Sequence, residues 1–214
     1  MKPNEASWEK GDLTEIAALM RQSGEARGAS LGIATPLRAL NLGCGDGTTA
    51  VPLARQRRLT FQEGDACNLH GVDDHSFDVT LSVFGAMFAP KPFDVAREMV
   101  RVTKPGGRIV MGNWIPNDPT SFVSQLRKIS SSFTPPPPEG FVSPMMWGLE
   151  THIVERFGQA GVRSEKISME RATPRRNQPS SRASRRSGRS RRTVPPLFTP
   201  NRTLYAGSQA PWNP

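Results

Sequence analysis

Short apolar runs alternate with stretches of helical periodicity along most of the chain. The runs that are typical of buried strands cover about 38–42, 59–63, 77–83 and 108–113. Apolar residues spaced three and four apart predict helices at about 13–20, 48–57, 93–100, 122–129 and 153–157. Pro105-Gly106-Gly107 predicts a turn, and Pro135–Pro138 an extended spacer. This alternation predicts an α/β fold with a doubly wound, mostly parallel sheet.

A glycine-dense segment follows the first predicted strand. Gly43, Gly45 and Gly47 have the spacing G-x-G-x-G. Because glycine accepts positive φ and lets the main chain approach a ligand, the segment predicts a turn that binds a nucleotide-like molecule. A dinucleotide fingerprint would need a further glycine at position 48, which is Thr48. The spacing therefore favours S-adenosylmethionine, which has no pyrophosphate, over NAD.

Three later segments stand in a fixed order after the glycines. They read Phe61-Gln62-Glu63-Gly64-Asp65-Ala66, then Ser76–Ser82 around Phe77-Asp78-Val79, then Arg101–Val110 around Lys104-Pro105-Gly106-Gly107. The ordered set resembles the class I S-adenosylmethionine-dependent methyltransferases, especially their small-molecule branch with the ubiquinone/menaquinone-type enzymes. The resemblance covers about residues 8–170. It implies a Rossmann-like sheet, S-adenosyl-L-methionine as cofactor and methyl transfer to a small-molecule acceptor.

The resemblance also implies which residues contact the cofactor. They are Asn41, Gly43, Cys44, Gly45, Gly47, Glu63, Asp65, Ala66 and Phe84. Family members more often carry an acid at the position of Asn41, where it orients the glycine loop and the methionyl end. An amide keeps the hydrogen-bonding reach and loses the charge, which predicts modestly weaker binding. The other interpretation is that Asn41 only satisfies loop amides.

One strand-helix unit of the resembled family is missing between Gly47 and Asp65. In that family a second strand ends in an acid that binds the ribose, and a third strand leads to a Gly-Asp-Ala-like turn at the adenine. Here Glu63 lies twenty positions beyond Gly43, at the distance of a ribose acid. We expect the strand 59–65 to lie beside the first strand, with Glu63 as an imperfect ribose ligand and a weakened cofactor affinity. The alternative leaves that strand in its outer place beside a gap with unpaired backbone groups.

The sequence identifies no catalytic residue. Methyl transfer from an activated sulfonium depends mainly on proximity and orientation, so neither a metal nor a covalent nucleophile is required. His70, His75 and His152 are candidate general bases, although a lone histidine in a polar loop is usually just solvated. An apolar wall around the acceptor, or ordinary core, is predicted from Phe84, Met87, Phe88 and Trp114.

The net charge of +9 comes from the C-terminal part of the chain. Residues 171–214 contain ten Arg and no acid, whereas residues 1–170 contain 18 Lys and Arg against 19 Asp and Glu. We therefore predict a methyltransferase-like domain over 1–170 and a disordered Arg/Ser/Pro-rich tail over 171–214. Coding sequence read out of frame and a tail that attracts RNA or membranes both remain open. The alternative function is an inactive remnant whose tail binds nucleic acid or another anionic partner.

Targeting and redox signals are sparse. Cys44 and Cys67 have no metal-ligand spacing, and a disulfide framework is not expected. The first residues lack an apolar leader region, and no run approaches the roughly 20 apolar residues of a membrane span. These features predict a cytoplasmic protein with a small-molecule partner and no membrane span.

Overall fold

A mixed sheet flanked by helices forms the part of the chain that the computed structural model describes, residues 37–45, 47, 50, 58–137, 139–171 and 203–209. Its strands are β1 (Ala39–Leu42), β2 (Arg58–Gly64), β3 (Phe77–Val83), β4 (Thr103–Gly112) and β5 (Thr203–Gln209). Its α-helices are α1 (Pro92–Val102), α2 (Phe122–Ser130) and α3 (Glu150–Gln159). Short 3-10 helices cover Ala86–Phe88, Pro144–Gly148 and Ser164–Lys166.

The predicted α/β architecture is confirmed. β1, β3 and β4 are mutually parallel neighbours, as expected for a Rossmann-like sheet. The four predicted strands and the helices at 93–100, 122–129 and 153–157 are present with small changes of boundary. The predicted helix at 13–20 and all but Ala50 of the one at 48–57 lie outside the described residues.

The expected place of β2 is wrong. The sheet order is β2-β5-β1-β3-β4, so β2 is an edge strand and does not neighbour β1. β5 lies between them and is antiparallel to both. The physical reason is pairing: β5 supplies hydrogen-bonding partners to both neighbours, so the outer position of β2 leaves no gap of unpaired backbone groups beside β1.

β5 lies within the segment 171–214, for which the composition predicts a disordered tail. Seven residues of that segment form a regular strand paired along its length with β2. The rest of the tail beyond Arg171 lies outside the described residues. An Arg-rich composition predicted no core, but it did not exclude one strand that is held by backbone pairing on two sides.

α1 provides the main packing against the sheet. Its buried residues Val95, Ala96, Met99 and Val102 recur at helical spacing and belong to the cluster that contains Leu40 and Leu42 of β1. Pro92 stands at the first helical position, which suits its fixed φ, and the helix ends where Thr103 turns extended. The packing fixes β1 and the segments that follow it.

The predicted Pro105-Gly106-Gly107 turn lies within β4 and interrupts its regular pairing with β3. Thr103 pairs with Phe77, but two residues further along β3 the partner of Val79 is already Arg108. Gly106 has φ +78°. Regular parallel pairing from Arg108 onward then aligns the carboxyl ends of β3 and β4, because Val83 pairs with Gly112.

Candidate functional site at the carboxyl edge of the sheet

The glycine segment forms the predicted turn. Gly43, Gly45 and Gly47 have φ values of +67°, +55° and +83°. The Gly47 N–H donates to the Cys44 carbonyl at 2.9 Å, and the Cys44 side chain is buried. These backbone angles are strained for any residue with a Cβ, so the chain reverses here because the sequence provides glycine at each position.

Gly85, which the sequence analysis missed, packs against this glycine turn. A Cβ built on Gly43 would lie 2.8 Å from the Gly85 Cα, and one built on Gly85 would lie 2.2 Å from the Gly43 carbonyl oxygen. Neither position can carry a side chain without moving backbone. The available signal was the place of Gly85 just beyond β3, since carboxyl ends of neighbouring parallel strands meet at one edge.

The loop after β3 is held by Phe84. This residue has φ +58°, a sparsely populated value for an aromatic residue. Its N–H donates to the Gly112 carbonyl at 2.9 Å, and its ring stacks on Trp114 with centroids 4.2 Å apart and planes at 17°. The Ser82 hydroxyl accepts from the Ala86 N–H at 2.8 Å. The stacked pair and these bonds stabilise the conformation that brings Gly85 against the glycine turn.

The four residues of the predicted apolar wall, Phe84, Met87, Phe88 and Trp114, differ in burial. Phe84 and Trp114 are half-buried and in contact with each other. Met87 is buried in the core, and Phe88 packs against the same cluster, as Phe84 and Trp114 do. Gly148 allows the 3-10 helix Pro144–Gly148 to approach, since a Cβ there would lie 1.9 Å from the Trp114 carbonyl oxygen.

Asn41 is a buried polar residue at the end of β1. It is 4% exposed, and its Oδ1 has no hydrogen-bond partner among the residues that the structure describes. An unsatisfied buried acceptor costs on the order of 1–3 kcal/mol. The interpretation that Asn41 only satisfies loop amides stays a prediction, because Asp46, Thr48 and Thr49 of that loop lie outside the described residues.

The Gly64-Asp65-Ala66 segment forms a tight turn after β2. The Asp65 carboxylate accepts the Cys67 N–H at 2.9 Å, and the Asp65 carbonyl accepts the Asn68 N–H at 2.9 Å. Ala66 is fully buried. Burial raises the pKa of the Cys67 thiol to about 11, so this thiol is protonated near neutral pH and is not a nucleophile.

An ion pair on α1 fastens the loop that follows this turn. The Glu98 carboxylate accepts the Leu69 N–H at 2.6 Å and the Arg101 guanidinium at 2.8 and 2.9 Å. Arg101 donates further to the carbonyl oxygens of Leu69 at 2.9 Å and Val72 at 2.8 Å. Hydrogen bonds from Arg101 hold the pKa of Glu98 below its usual value of 4.5. The loop that begins at Asp65 is thus attached to the rigid helix.

Glu63 lies on β2 and is exposed. With β5 between β2 and β1, two strand spacings, or about 10 Å of backbone, separate Glu63 from β1. At the carboxyl edge of the sheet, Tyr205 of β5 pairs with Leu42 of β1. Leu204 and Thr203 are the next residues of β5 in that direction. β5 therefore places no acid beside β1 at the position where the resembled family has its ribose carboxylate.

The histidines are not brought together. His75 precedes β3, and its Nδ1 lies 3.1 Å from the Thr103 carbonyl oxygen, at the amino end of the strand and away from the glycine turn. His152 lies on α3 beside Glu155 at 3.6 Å, and His70 is an exposed loop residue. None of these contacts gives a histidine a catalytic arrangement.

Comparison with known proteins agrees with this architecture. A family model described as a methyltransferase domain matches residues 48–111. An uncharacterized protein of Mycobacterium tuberculosis is 27% identical over 179 residues, which cover 72% of this chain and 64% of that protein. A demethylmenaquinone methyltransferase of Paenarthrobacter aurescens is 34% identical over 98 residues, 36% of this chain and 38% of that enzyme. The chain thus spans somewhat under two thirds of the length of the mycobacterial relative.

One solved structure matches this chain over most of its length. It is a SAM-dependent methyltransferase from Thermotoga maritima, described as a possible histamine N-methyltransferase. The match covers 92% of this chain and 95% of that one, with 18% identity and a TM-score of 0.48. No helix among the described residues has the length and apolar character needed to cross a membrane. The matching methyltransferase domain model thus covers β2, β3, α1 and most of β4, the part of the chain that follows the glycine turn.

Proposed function

We propose that this protein transfers a methyl group from S-adenosyl-L-methionine to a small-molecule acceptor, and that it binds the cofactor weakly. The observation that carries the proposal is the contact between Gly43 and Gly85. Two loops meet there with no side chain between them, beside a turn of three positive-φ glycines. Bare backbone of this kind is suited to a ligand that packs directly against main-chain atoms.

The cofactor would be held by three groups of residues. The main chain of Gly43–Gly47 would face the sulfonium region, and Asn41 Oδ1 would accept from the methionyl ammonium. The turn at Asp65 and Ala66 would face the adenine. When bound, the cofactor supplies a methyl group on an already activated sulfur, so the protein contributes binding and orientation.

The acceptor would approach from the side of β3 and β4. Phe84 and Trp114 form a stacked, half-buried aromatic surface directly next to Gly85. An apolar surface beside the sulfonium excludes water from the methyl group, which favours transfer to the bound acceptor over hydrolysis. Mechanistically, the chain's residues orient the acceptor in line with the methyl group. A cytoplasmic location, and nucleic-acid contact only through the basic tail, accompany this proposal.

Weak cofactor affinity follows from two departures. Glu63 is two strands from β1, and Asn41 replaces an acid with a neutral amide. Each lost charged contact to a ligand is expected to reduce affinity by about tenfold, the equivalent of 1.4 kcal/mol. A dissociation constant in the low micromolar range would contradict the claim of weak binding.

Ligand-dependent thermal unfolding tests the proposal. S-adenosylmethionine at millimolar concentration should raise the midpoint, whereas NAD or RNA at the same concentration should not. Transfer of a labelled methyl group to a panel of phenols, quinols and amines then identifies the acceptor. Protection by NAD alone would point to redox chemistry, and protection by RNA alone would point to the binding function of the tail.

A further inference from the structure

We propose that α2 docks on the surface of an acidic lipid bilayer. The contact is made by the exposed apolar residues Leu126, Ile129 and Phe133 and by the exposed basic residues Arg127 and Lys128. We call these five residues the α2 surface. The proposal concerns where the protein binds in the cell and is independent of the methyl transfer proposed above.

The apolar residues of the α2 surface share one side of the helix. Leu126, Ile129 and Phe133 are spaced three and four positions apart. The Phe133 N–H donates to the Ser130 carbonyl at 3.0 Å, so a helical turn continues beyond the end of α2. An amphipathic helix of a globular protein normally buries its apolar side in the core. Here the three side chains are 51%, 62% and 84% exposed, which indicates a binding surface.

Exposed apolar residues are concentrated in this part of the molecule. Of the nine large apolar side chains that are exposed in the described part of the chain, seven lie between positions 115 and 146. Single exposed apolar residues are ordinary on a protein surface, whereas a concentration of them is not. The concentration therefore needs a partner with an apolar interior.

Polar side chains attach α2 to the rest of the protein. The Gln125 amide donates to the Pro119 carbonyl at 2.8 Å, and the Ser124 hydroxyl donates to the Ile115 carbonyl at 3.5 Å. These bonds connect the helix to the segment that follows β4 without using its apolar side. The helix is thus held in place while its apolar side stays accessible to a partner.

The charge of this region favours a negatively charged partner. No acid occurs between Asp118 and Glu139, and Arg127 and Lys128 lie within that stretch. The chain as a whole carries a net charge of +9. A membrane with acidic lipids has a negative surface potential, and each Lys or Arg near it strengthens binding about fivefold.

The same charges disfavour a second copy of the chain as the partner. A dimer with a two-fold axis would place the α2 surface against itself, so Arg127 and Lys128 would meet like charges. Phe133, at 84% exposure, also protrudes and does not line a groove that a peptide could fill. Protruding apolar side chains on a helix with basic residues are typical of segments that enter the bilayer interface.

Co-sedimentation with lipid vesicles tests the apolar part of the surface. The full chain is mixed with vesicles of phosphatidylcholine and phosphatidylglycerol in equal parts, and with vesicles of phosphatidylcholine alone. Phe133→Ser removes the most exposed apolar side chain, and Met169→Ser is the matched control at another exposed position. We expect wild type to prefer the acidic vesicles, Phe133→Ser to bind them about tenfold more weakly, and Met169→Ser to bind as wild type does.

A second pair of variants tests the basic part of the surface. Arg127→Gln with Lys128→Gln removes two charges from the α2 surface, and Arg163→Gln with Lys166→Gln removes two exposed charges elsewhere. The first pair should weaken binding to the acidic vesicles about twentyfold. The second pair should weaken it less than about threefold, because salt screens charges that lie far from the contact. All four positions are exposed, so urea unfolding should be nearly unchanged.

Three results would overturn the proposal. The first is failure of wild type to bind the acidic vesicles. The second is binding that Phe133→Ser leaves unchanged, which would assign the attraction to the Arg-rich tail that every variant retains. The third is a dimer in sedimentation equilibrium that Phe133→Ser dissociates, which would make a second copy the partner. S-adenosylmethionine takes no part in these assays, so their outcome is separate from that of the proposed function.

Discussion

At the scale of single residues, the site depends on positions where a side chain would not fit. Gly43 and Gly45 both have positive φ, but only Gly43 has backbone within 3 Å of a built Cβ. The two glycines therefore separate the cost of the backbone angle from the cost of the contact. Substitution of each by alanine measures the difference.

We predict that Gly43→Ala destabilises the protein by about 1–2 kcal/mol more than Gly45→Ala. Both pay roughly 1 kcal/mol for an alanine at positive φ, and only Gly43→Ala must also displace the Gly85 backbone. Urea unfolding of the two variants checks this. Equal losses of unfolding free energy would show that the contact between Gly43 and Gly85 is not a constraint.

Asn41 offers a gain-of-affinity test. Asn41→Asp should lower the dissociation constant for S-adenosylmethionine by about three- to tenfold, since a carboxylate pairs with the methionyl ammonium more strongly than an amide does. Asn117→Asp adds the same charge at an exposed position and serves as the control. Calorimetry in low salt provides the measurement, and an unchanged affinity in Asn41→Asp would remove Asn41 from the cofactor site.

At the scale of elements, α1 holds the loop that follows the Asp65 turn. Arg101 bonds two loop carbonyls and Glu98 bonds the Leu69 N–H, so the helix replaces interactions that the loop would otherwise make with water. Arg97 provides a contrast, because it pairs with Asp94 on the exposed side of the same helix.

Arg101→Met is expected to destabilise the protein by about 2 kcal/mol near neutral pH, whereas Arg97→Met should cost less than about 1 kcal/mol. The pKa of Glu98 is lowered in the folded state, so its contribution is fully present above the usual value of 4.5 and is lost as pH falls below it. The difference between wild type and Arg101→Met should therefore shrink in acid. Urea unfolding across pH 3.5–7 checks this, and a difference that stays constant or grows in acid would contradict the assignment.

Elements with strong local patterns could be predicted from the sequence. β1 and β3 are short buried apolar runs, and the three glycines at 43, 45 and 47 define a turn by their conformational freedom alone. The place of β2 could not be predicted, because strand order depends on which segments compete for an edge. β5 was missed because its pairing partners, β1 and β2, are more than 130 positions away in the chain.

The same distinction applies to the candidate site. Phe84 was selected as a candidate because it directly follows the apolar strand 77–83. Gly85 was missed because its importance arises from a contact, the approach of its backbone to that of Gly43. Such an approach between two loops has no signature in a single sequence.

At the scale of the whole molecule, the C-terminal strand completes the sheet. Ala206 is its central residue and is aligned with Asn41 on one side and Phe61 on the other. Ala206→Pro should lower the unfolding free energy by about 3 kcal/mol, because proline removes a ladder donor and clashes within an interior strand. Ala210→Pro, just beyond the strand, is the control. Equal stability of the two variants would mean that β5 does not complete the sheet.

Isothermal titration of the full chain with S-adenosylmethionine measures whether the glycine turn against Gly85 binds this cofactor. We expect saturable binding at one site with a dissociation constant on the order of 100 μM, which Gly43→Ala weakens at least tenfold. Absence of saturable binding at millimolar cofactor, or binding that Gly43→Ala leaves unchanged, would show that the turn is not the cofactor site.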